Sequence, residues 1–339
     1  MVNPPPGPDG DPRLGALTTL AGWHQFASEM PAVPQLLDHK VWQGLDTDKR
    51  AAYDDDRIAH HSRPLIVQTP AVRDVVTTGR RLAHLNRSAH YGRSGLIVSG
   101  PARTGKTTAI TQLGKTIEVF RRRRYPRSGD DIPVVYITVP PAATPKMIAA
   151  EFARYLGLPV TRRANITDII EAVCGVCTDT RTSVICVDEI HNLNIATRAG
   201  AEASDTLKYF SERIPATFVL AGISVERAGL LSGTRGEQIA GRYSMVRTGP
   251  FPSGQQWATL IAALETSLRL HRHQPGSLSE LAGYLHQRTG GMIGSLLWLI
   301  RSAAIQAVID GTERITKKSM DAIPVDIASQ AGGPSQGKL

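Results

Sequence analysis

The chain has 339 residues, with 39 Lys plus Arg against 30 Asp plus Glu and a formal net charge of +9. That balance favours polyanionic partners and says nothing about fold. A hydrophobic content of 41% can fill a packed core, and no apolar run approaches the roughly 20 residues needed to cross a bilayer, so no membrane partner is expected. Three cysteines are too few for a disulfide framework and fit a reducing, cytoplasmic compartment.

Residues 1–15 open with Met1-Val-Asn-Pro-Pro-Pro-Gly-Pro, which lacks the basic and apolar halves of a secretory signal and reads as a disordered tail. Residues 16–90 read as a helical extension. It carries the apolar and aromatic anchors Leu20, Trp23, Phe26 and Trp42, then Arg63-Pro-Leu-Ile-Val-Gln-Thr-Pro70, then a predicted helix from Val72 to Asn86.

The predicted core spans residues 91–252. The apolar segment Leu96-Ile-Val-Ser99 leads into Gly100-Pro-Ala-Arg-Thr-Gly-Lys-Thr107, and a helical stretch runs from Thr108 to Phe120. Strand, glycine-rich loop and helix are the context in which G-x-x-x-x-G-K-[ST] marks a phosphate-binding loop. Gly100 and Gly105 let the backbone curl so that its N–H groups point inward at the helix N-terminus. The expected nucleotide contacts are Gly100, Pro101, Ala102, Arg103, Thr104, Gly105, Lys106, Thr107 and Thr108. Lys106 would reach the β- and γ-phosphates of ATP, and Thr107 would offer its hydroxyl to Mg²⁺.

The same helix ends in Arg121-Arg-Arg-Arg124, followed by Tyr125, Arg127 and Asp130-Asp131. Two readings stay open. The run is either a solvated helix end whose cations complement the dipole, or a contact to the phosphate backbone of double-stranded DNA. Arg162-Arg163 is a second candidate for the same surface. Pro133 to Val139 reads as a strand, and Cys174-Gly-Val-Cys177, with no second ligand pair, reads as buried thiols on a helix rather than a zinc site.

Val184-Ile-Cys-Val-Asp188-Glu189 has the continuous apolar pattern of a buried parallel strand. Ligands gather at the C-terminal ends of such strands. Asp188 is therefore expected to hold Mg²⁺, and Glu189 to orient or deprotonate the water that attacks the γ-phosphate. A helix over Ser204 to Arg213 precedes a strand at Thr217 to Gly222, and Tyr243 to Thr248 supplies a fifth. Strands separated by helices imply an α/β fold: a five-stranded parallel sheet with helices on both faces.

Residues 253–328 read as a small all-α domain. Trp257, Leu260, Ile261, Leu264 and Leu268 recur at helical spacing, a second helix is predicted from Ser277 to Gln287, and a third follows Gly290-Gly291 with Leu296, Leu299, Ile300, Ala303 and Ala304 on one face. A last helix begins near Ile315-Thr-Lys-Lys, and residues 329–339 read as a second disordered tail.

One strand between the phosphate-loop strand and the Asp-Glu strand, with the extra glutamate, resembles the AAA+ branch of P-loop ATPases, and the four C-terminal helices look like its lid domain. The resemblance implies that Ser224 senses the γ-phosphate, although Gly222 stands where a polar side chain is commoner. Gly241-Arg242-Tyr243 resembles the Ser-Arg-Phe box of clamp-loader and initiator ATPases. It implies that Arg242, with Arg235 and Arg247 as substitutes, acts on a neighbouring subunit's γ-phosphate. Such an arginine implies a ring or filament. In Gly291-Met-Ile-Gly294-Ser, Gly294 replaces the arginine usual in the lid, which implies slow or partner-stimulated turnover.

The Thr69-Pro70 lead-in, the strand end Asp188-Glu-Ile-His191 and the missing lid arginine are similar to the TniB and TnsC ATPases of transposons, over roughly residues 60 to 310. This resemblance implies a regulator that binds ATP, assembles on double-stranded DNA and hands a target site to a transposase, with a target-selection protein as a further partner. His191 would either relay nucleotide state or simply cap the turn. A DEAD-type helicase is disfavoured because no Ser-Ala-Thr motif follows the Asp-Glu strand. An initiator or clamp-loader ATPase shares core and lid but usually keeps the lid arginine. A STAND-type signalling switch usually carries a sensor of repeats, and no repeat stands out here.

Overall fold

The computed structural model describes residues 15–30, 32–126, 129–161, 163–226 and 241–325. Residues 1–14 of the first tail, the whole of the second, Arg162 and Arg235 lie outside the described residues. In chain order the helices are α1 (Leu20–Ser28), α2 (His39–Gln43), α3 (Thr47–Ser62), α4 (Pro70–Asn86), α5 (Lys106–Arg124), α6 (Pro145–Tyr155), α7 (Ile166–Asp179), α8 (Arg198–Arg213), α9 (Gln255–Glu265), α10 (Ser277–Glu280), α11 (Ala282–Thr289), α12 (Ile293–Ile309) and α13 (Lys317–Asp321). The strands are β1 (Gly95–Ser99), β2 (Val134–Thr138), β3 (Val184–Asp188), β4 (Thr217–Gly222) and β5 (Tyr243–Arg247).

Local chemistry explains where helices begin. Thr69 and Thr144 accept from the amides of Val72 and Met147, and the prolines that follow them occupy the first turn of α4 and α6. A threonine before a proline is a strong start signal because the proline's missing N–H would have been unpaired there anyway. The Thr69-Pro70 lead-in is thus, locally, a helix cap.

The strands form the expected parallel sheet, in the order β2-β3-β4-β1-β5. Inserting β4 between β1 and β3 pairs Ser99 with Gly222 and Val187 with Leu220, so β1, β3 and β4 end together at one edge. The strand interiors of β1, β3 and β4 are buried throughout, as a sheet covered on both faces requires.

The chain divides into two compact units. One contains Met1–Glu29, Thr69–Pro101 and Lys106–Thr248; the other contains Met30–Gln68, Ala102–Gly105 and Gly249–Leu339. The extension expected over residues 16–90 is therefore shared out rather than a separate domain. In the sheet unit, α1 lies on α5. Trp23 is fully buried and stacks on Tyr136 at 5.9 Å, and a Cβ on Gly114 would meet its ring at 2.5 Å. The Lys115 ammonium caps the end of α1, donating to the carbonyls of Phe26 and Glu29 at 3.0 and 2.9 Å. Cys174 and Cys177 are buried on α7, and burial pushes the two thiols up to about 11 and about 12.

In the other unit, the helix expected over Ser277 to Gln287 is interrupted at Leu281, dividing it into α10 and α11. Trp257, Leu264, Leu296, Leu299 and Ile300 share one core. Residues 30–68 join it through an ion pair. Arg57, fully buried on α3, donates to both oxygens of the buried Glu313 carboxylate at 2.7 and 2.8 Å, and His271 N–H adds a third donor at 3.0 Å. Trp42 stacks on His271 at 4.4 Å. No single helix among the described residues is long and apolar enough to cross a membrane.

Without Glu313, the buried Arg57 guanidinium keeps only the more exposed Asp54 carboxylate to offset its charge. Glu313→Ala should therefore lower unfolding free energy by about 3 kcal/mol or more in urea titration, and pairing it with Arg57→Met should recover most of that stability.

Candidate functional site

The phosphate loop leaves β1 beneath a crowded strand end. A Cβ on Gly100 would stand 2.2 Å from the Thr248 carbonyl oxygen, so only glycine fits there. Thr248 N–H donates back to the Ser99 carbonyl at 2.8 Å. Arg103 and Gly105 take φ of 60° and 88°. Left-handed residues in such a loop turn successive N–H groups toward one point, which makes a concave anion site. Lys106 then starts α5. The residue is 9% exposed, and its ammonium donates to the Pro101 carbonyl at 2.6 Å. Burial holds its pKa below the ordinary lysine range, and Asp188 and Glu189 offset this only in part.

Asp188, at the end of β3, is 3% exposed. Its Oδ2 accepts from the Thr107 hydroxyl at 2.7 Å and from the Tyr136 hydroxyl at 2.9 Å, while Oδ1 accepts from Glu189 N–H at 2.8 Å. Desolvation and the neighbouring carboxylate push the Tyr136 phenol upward, so it stays a donor. Tyr136 had no signal in the sequence beyond a place in a β-branched run. It reaches Asp188 because Tyr136 pairs with Cys186 in the β2–β3 register, two residues before Asp188.

Glu189 follows in the left-handed region, at φ 57° and ψ 34°, with Oε2 at 3.3 Å from His191 Nε2. Ser224 lies just past β4 with φ 43°, and its hydroxyl has no partner among the described residues. Its neighbour Val225 donates to Ser99 Oγ at 3.0 Å, so this segment runs beside the start of the phosphate loop. The Glu226 carboxylate, which the sequence did not single out, accepts from the same Ser99 hydroxyl.

Hence Gly100, Lys106, Thr107, Asp188, Glu189 and Ser224 are gathered at the C-terminal ends of β1, β3 and β4. The donor set fits a magnesium nucleotide: a curled backbone, a desolvated ammonium lacking full charge compensation, and a hydroxyl beside a carboxylate. Thr108 lies in the first turn of α5 and is half-buried.

Arg242 is elsewhere. Its carbonyl accepts from Gly95 N–H at 3.0 Å, at the opposite end of β1, so it sits about 13 Å of strand from Ser99. Its guanidinium is half-exposed and 3.9 Å from Glu212. Arg247, by contrast, pairs with Ser99 at the loop end of the sheet and is exposed.

The arginine run is divided. Arg121 is largely buried against Asp131 at 3.0 Å, and Arg122 donates to Glu118 at 2.8 Å. Arg123 and Arg124 are exposed, with Arg124 over the Tyr125 ring at 5.3 Å. Arg163 is exposed. The exposed arginines of α5 join Arg80 and Lys115 along one cleft, and Arg80, His84, Arg87, Arg121 and Arg181 line a second that shares Arg80 and Phe120 with the first. Arg80 on α4 and Arg87 at its C-cap have no ion-pair partner among the described residues, and their helical spacing was the overlooked signal.

Within the second unit, Gly294 N–H donates to the Arg103 carbonyl at 2.9 Å, and a Cβ at 294 would stand 3.0 Å from Arg103 Cβ. A side chain at 294 would crowd Arg103, so this approach favours glycine there.

Residues 89–231 match the family described as an AAA domain. No curated protein matches the sequence. Among solved structures, the Aeropyrum pernix ORC2 protein in its ADPNP-ADP complexes is 18% identical with a TM-score of 0.57, covering 77% of this chain and 69% of that one. The Aeropyrum pernix ORC1 protein in complex with DNA is 18% identical with a TM-score of 0.56, covering 81% and 69%. Drosophila ORC bound to DNA is 14% identical with a TM-score of 0.56, covering 88% and 71%. These likenesses establish the P-loop AAA+ fold of the sheet and its helices.

Tyr136→Phe removes one of the two hydroxyl donors to a buried carboxylate while keeping the ring. It should cost about 1.5–3 kcal/mol in chemical denaturation without metal or nucleotide. A cost below about 0.5 kcal/mol would mean that Asp188 does not depend on the phenol.

Proposed function

We propose that this protein is a Mg²⁺-dependent ATPase that assembles on double-stranded DNA. The observation that carries the reading is the meeting of Lys106, Thr107 and Asp188 at the strand ends, with Glu189 one residue beyond. The loop amides from Gly100 to Thr107 hold the phosphates, and Lys106 recovers its lost solvation by binding the β- and γ-oxygens. Thr107 and Asp188 are the residues that would hold the metal. There it would supply positive charge to offset that of the phosphates. Glu189 accepts the proton of the attacking water, and Ser224 responds to the γ-phosphate.

Arg242 is too far from the loop of its own chain to touch that phosphate. It serves a second copy, so hydrolysis belongs to a homo-oligomer, ring or filament. With no arginine at position 294, turnover is slow and raised by a partner. Arg80, Arg87, Arg123 and Arg124 supply the phosphate-backbone contacts; Arg121 and Arg122 are already neutralised, and Arg163 is a lesser contributor. The protein works in the cytoplasm, where its buried free thiols persist.

The biological setting we favour is transposition, with the assembled protein passing a target site to a transposase, alone or with a target-selection protein. It rests on Thr69-Pro70, Asp188-Glu-Ile-His191 and Gly294. The likeness to ORC structures supports an initiator-type role for the same ATPase at least equally well. Co-purification with a transposase in the presence of ATP and target DNA separates the two.

Lys106→Ala should abolish ATP binding, and Glu189→Gln should bind ATP but stop phosphate release, leaving assemblies on DNA visible by negative-stain microscopy. Normal hydrolysis by Glu189→Gln would remove Glu189 as the base. Replacing Arg80, Arg123 and Arg124 with alanine should make the plot of log affinity against log salt shallower by about 2–3, near 0.9 for each phosphate that is no longer neutralised. An unchanged slope would return these arginines to a solvated helix face.

A further inference from the structure

Glu189 is pinned at both ends of its backbone. Asp188 Oδ1 accepts from its N–H at 2.8 Å, and its own carbonyl accepts from Asn192 N–H at 2.9 Å. Between them the residue is held at φ 57°, a conformation that a side chain with a Cβ enters only at a cost and that recurs where geometry serves function. The carboxylate then lies 3.3 Å from His191 Nε2.

The second ring nitrogen settles the direction of that contact. His191 Nδ1 lies 3.3 Å from the N–H of Ile223, and a backbone amide can only donate. Nδ1 is therefore the acceptor, and the neutral ring carries its proton on Nε2, facing Glu189. Ile223 is the first residue past β4, and Ser224 is the next. Gly222 makes the arrangement possible. A Cβ there would stand 2.6 Å from Ile190 Cγ2 and 3.1 Å from His191 N, so the bare strand end lets the turn Ile190–Asn192 press against it. The turn is fixed from the other side by Asn192, whose amide donates to the Val139 carbonyl at 2.8 Å.

We propose that His191 is a positioning residue that holds Glu189 and ties it to the end of β4. The inference rests on the ATPase reading above. The Nε2–H holds one carboxylate oxygen and leaves the other free to take the proton of the attacking water. Because the same ring is anchored on Ile223, a displacement of residues 223–224 turns the carboxylate. The histidine thereby does what a polar side chain at position 222 could not do here, since that position must be glycine.

Two substitutions separate this role from simple capping. Asparagine places an amide oxygen near Nδ1, keeping the Ile223 hydrogen bond and removing the one to Glu189. Glutamine places a donor near Nε2, keeping Glu189 and releasing Ile223. Steady-state phosphate release should show kcat about ten-fold lower for His191→Asn with KM for ATP unchanged, and most of the rate kept by His191→Gln. A wild-type rate for His191→Asn alongside an impaired His191→Gln would reduce His191 to a cap of Ile223. Glu189→Gln is run beside them, since undiminished hydrolysis by that variant would overturn the base assignment rather than the histidine's role. Imidazole nitrogen NMR of the nucleotide-free protein, which needs no activity, should find the proton on Nε2; a proton on Nδ1 would overturn the proposal.

Discussion

Asp188 is a carboxylate taken almost wholly out of water, and the geometry around the candidate site follows from satisfying it. A buried anion is tolerable only if its lone pairs are met by donors. Three arrive: the hydroxyl of Thr107 from the first turn of α5, the phenol of Tyr136 from β2, and the amide of Glu189. Each comes from a different part of the chain, so one side chain fixes the phosphate-loop helix, the neighbouring strand and the glutamate relative to one another. The same donors are suited to exchange. Thr107 would be free to serve a metal ion, with Tyr136 and the Glu189 amide still holding the carboxylate.

Behind this point the support is apolar. Tyr136 stacks on Trp23, and Trp23 packs over Gly114 of α5, with Lys115 closing the end of α1. The N-terminal helix thus buttresses the ring whose hydroxyl meets Asp188. In front of it, the strand end at Gly222 is stripped of side chain so that the turn bearing His191 can approach. Two glycines, Gly100 and Gly222, are required by close backbone contact at neighbouring strand ends.

The parts of this arrangement that were legible in the sequence are contiguous ones. The phosphate loop, the apolar run ending in Asp188-Glu189 and the five strands announce themselves within a few residues, because loop curvature and strand burial are local demands. Tyr136, the role of His191 and the preference for glycine at 294 were not legible, since each depends on a register or an approach between segments far apart in the chain. Residues 30–68 illustrate the same limit. Their place beside the C-terminal helices is set by Arg57 meeting Glu313, a contact between residues 256 positions apart that no periodicity signals. Arg121 and Arg122 looked like half of a basic patch until Asp131 and Glu118 were found to neutralise them.

The most direct test of a metal-assisted nucleotide site built on Asp188 is equilibrium binding of ATP to the intact protein, with Mg²⁺ and with a chelator. Binding that is clearly tighter with Mg²⁺, and that loses this advantage in Asp188→Asn, is the predicted result. Binding of equal strength in both conditions, or none at all by a folded protein, would contradict the account.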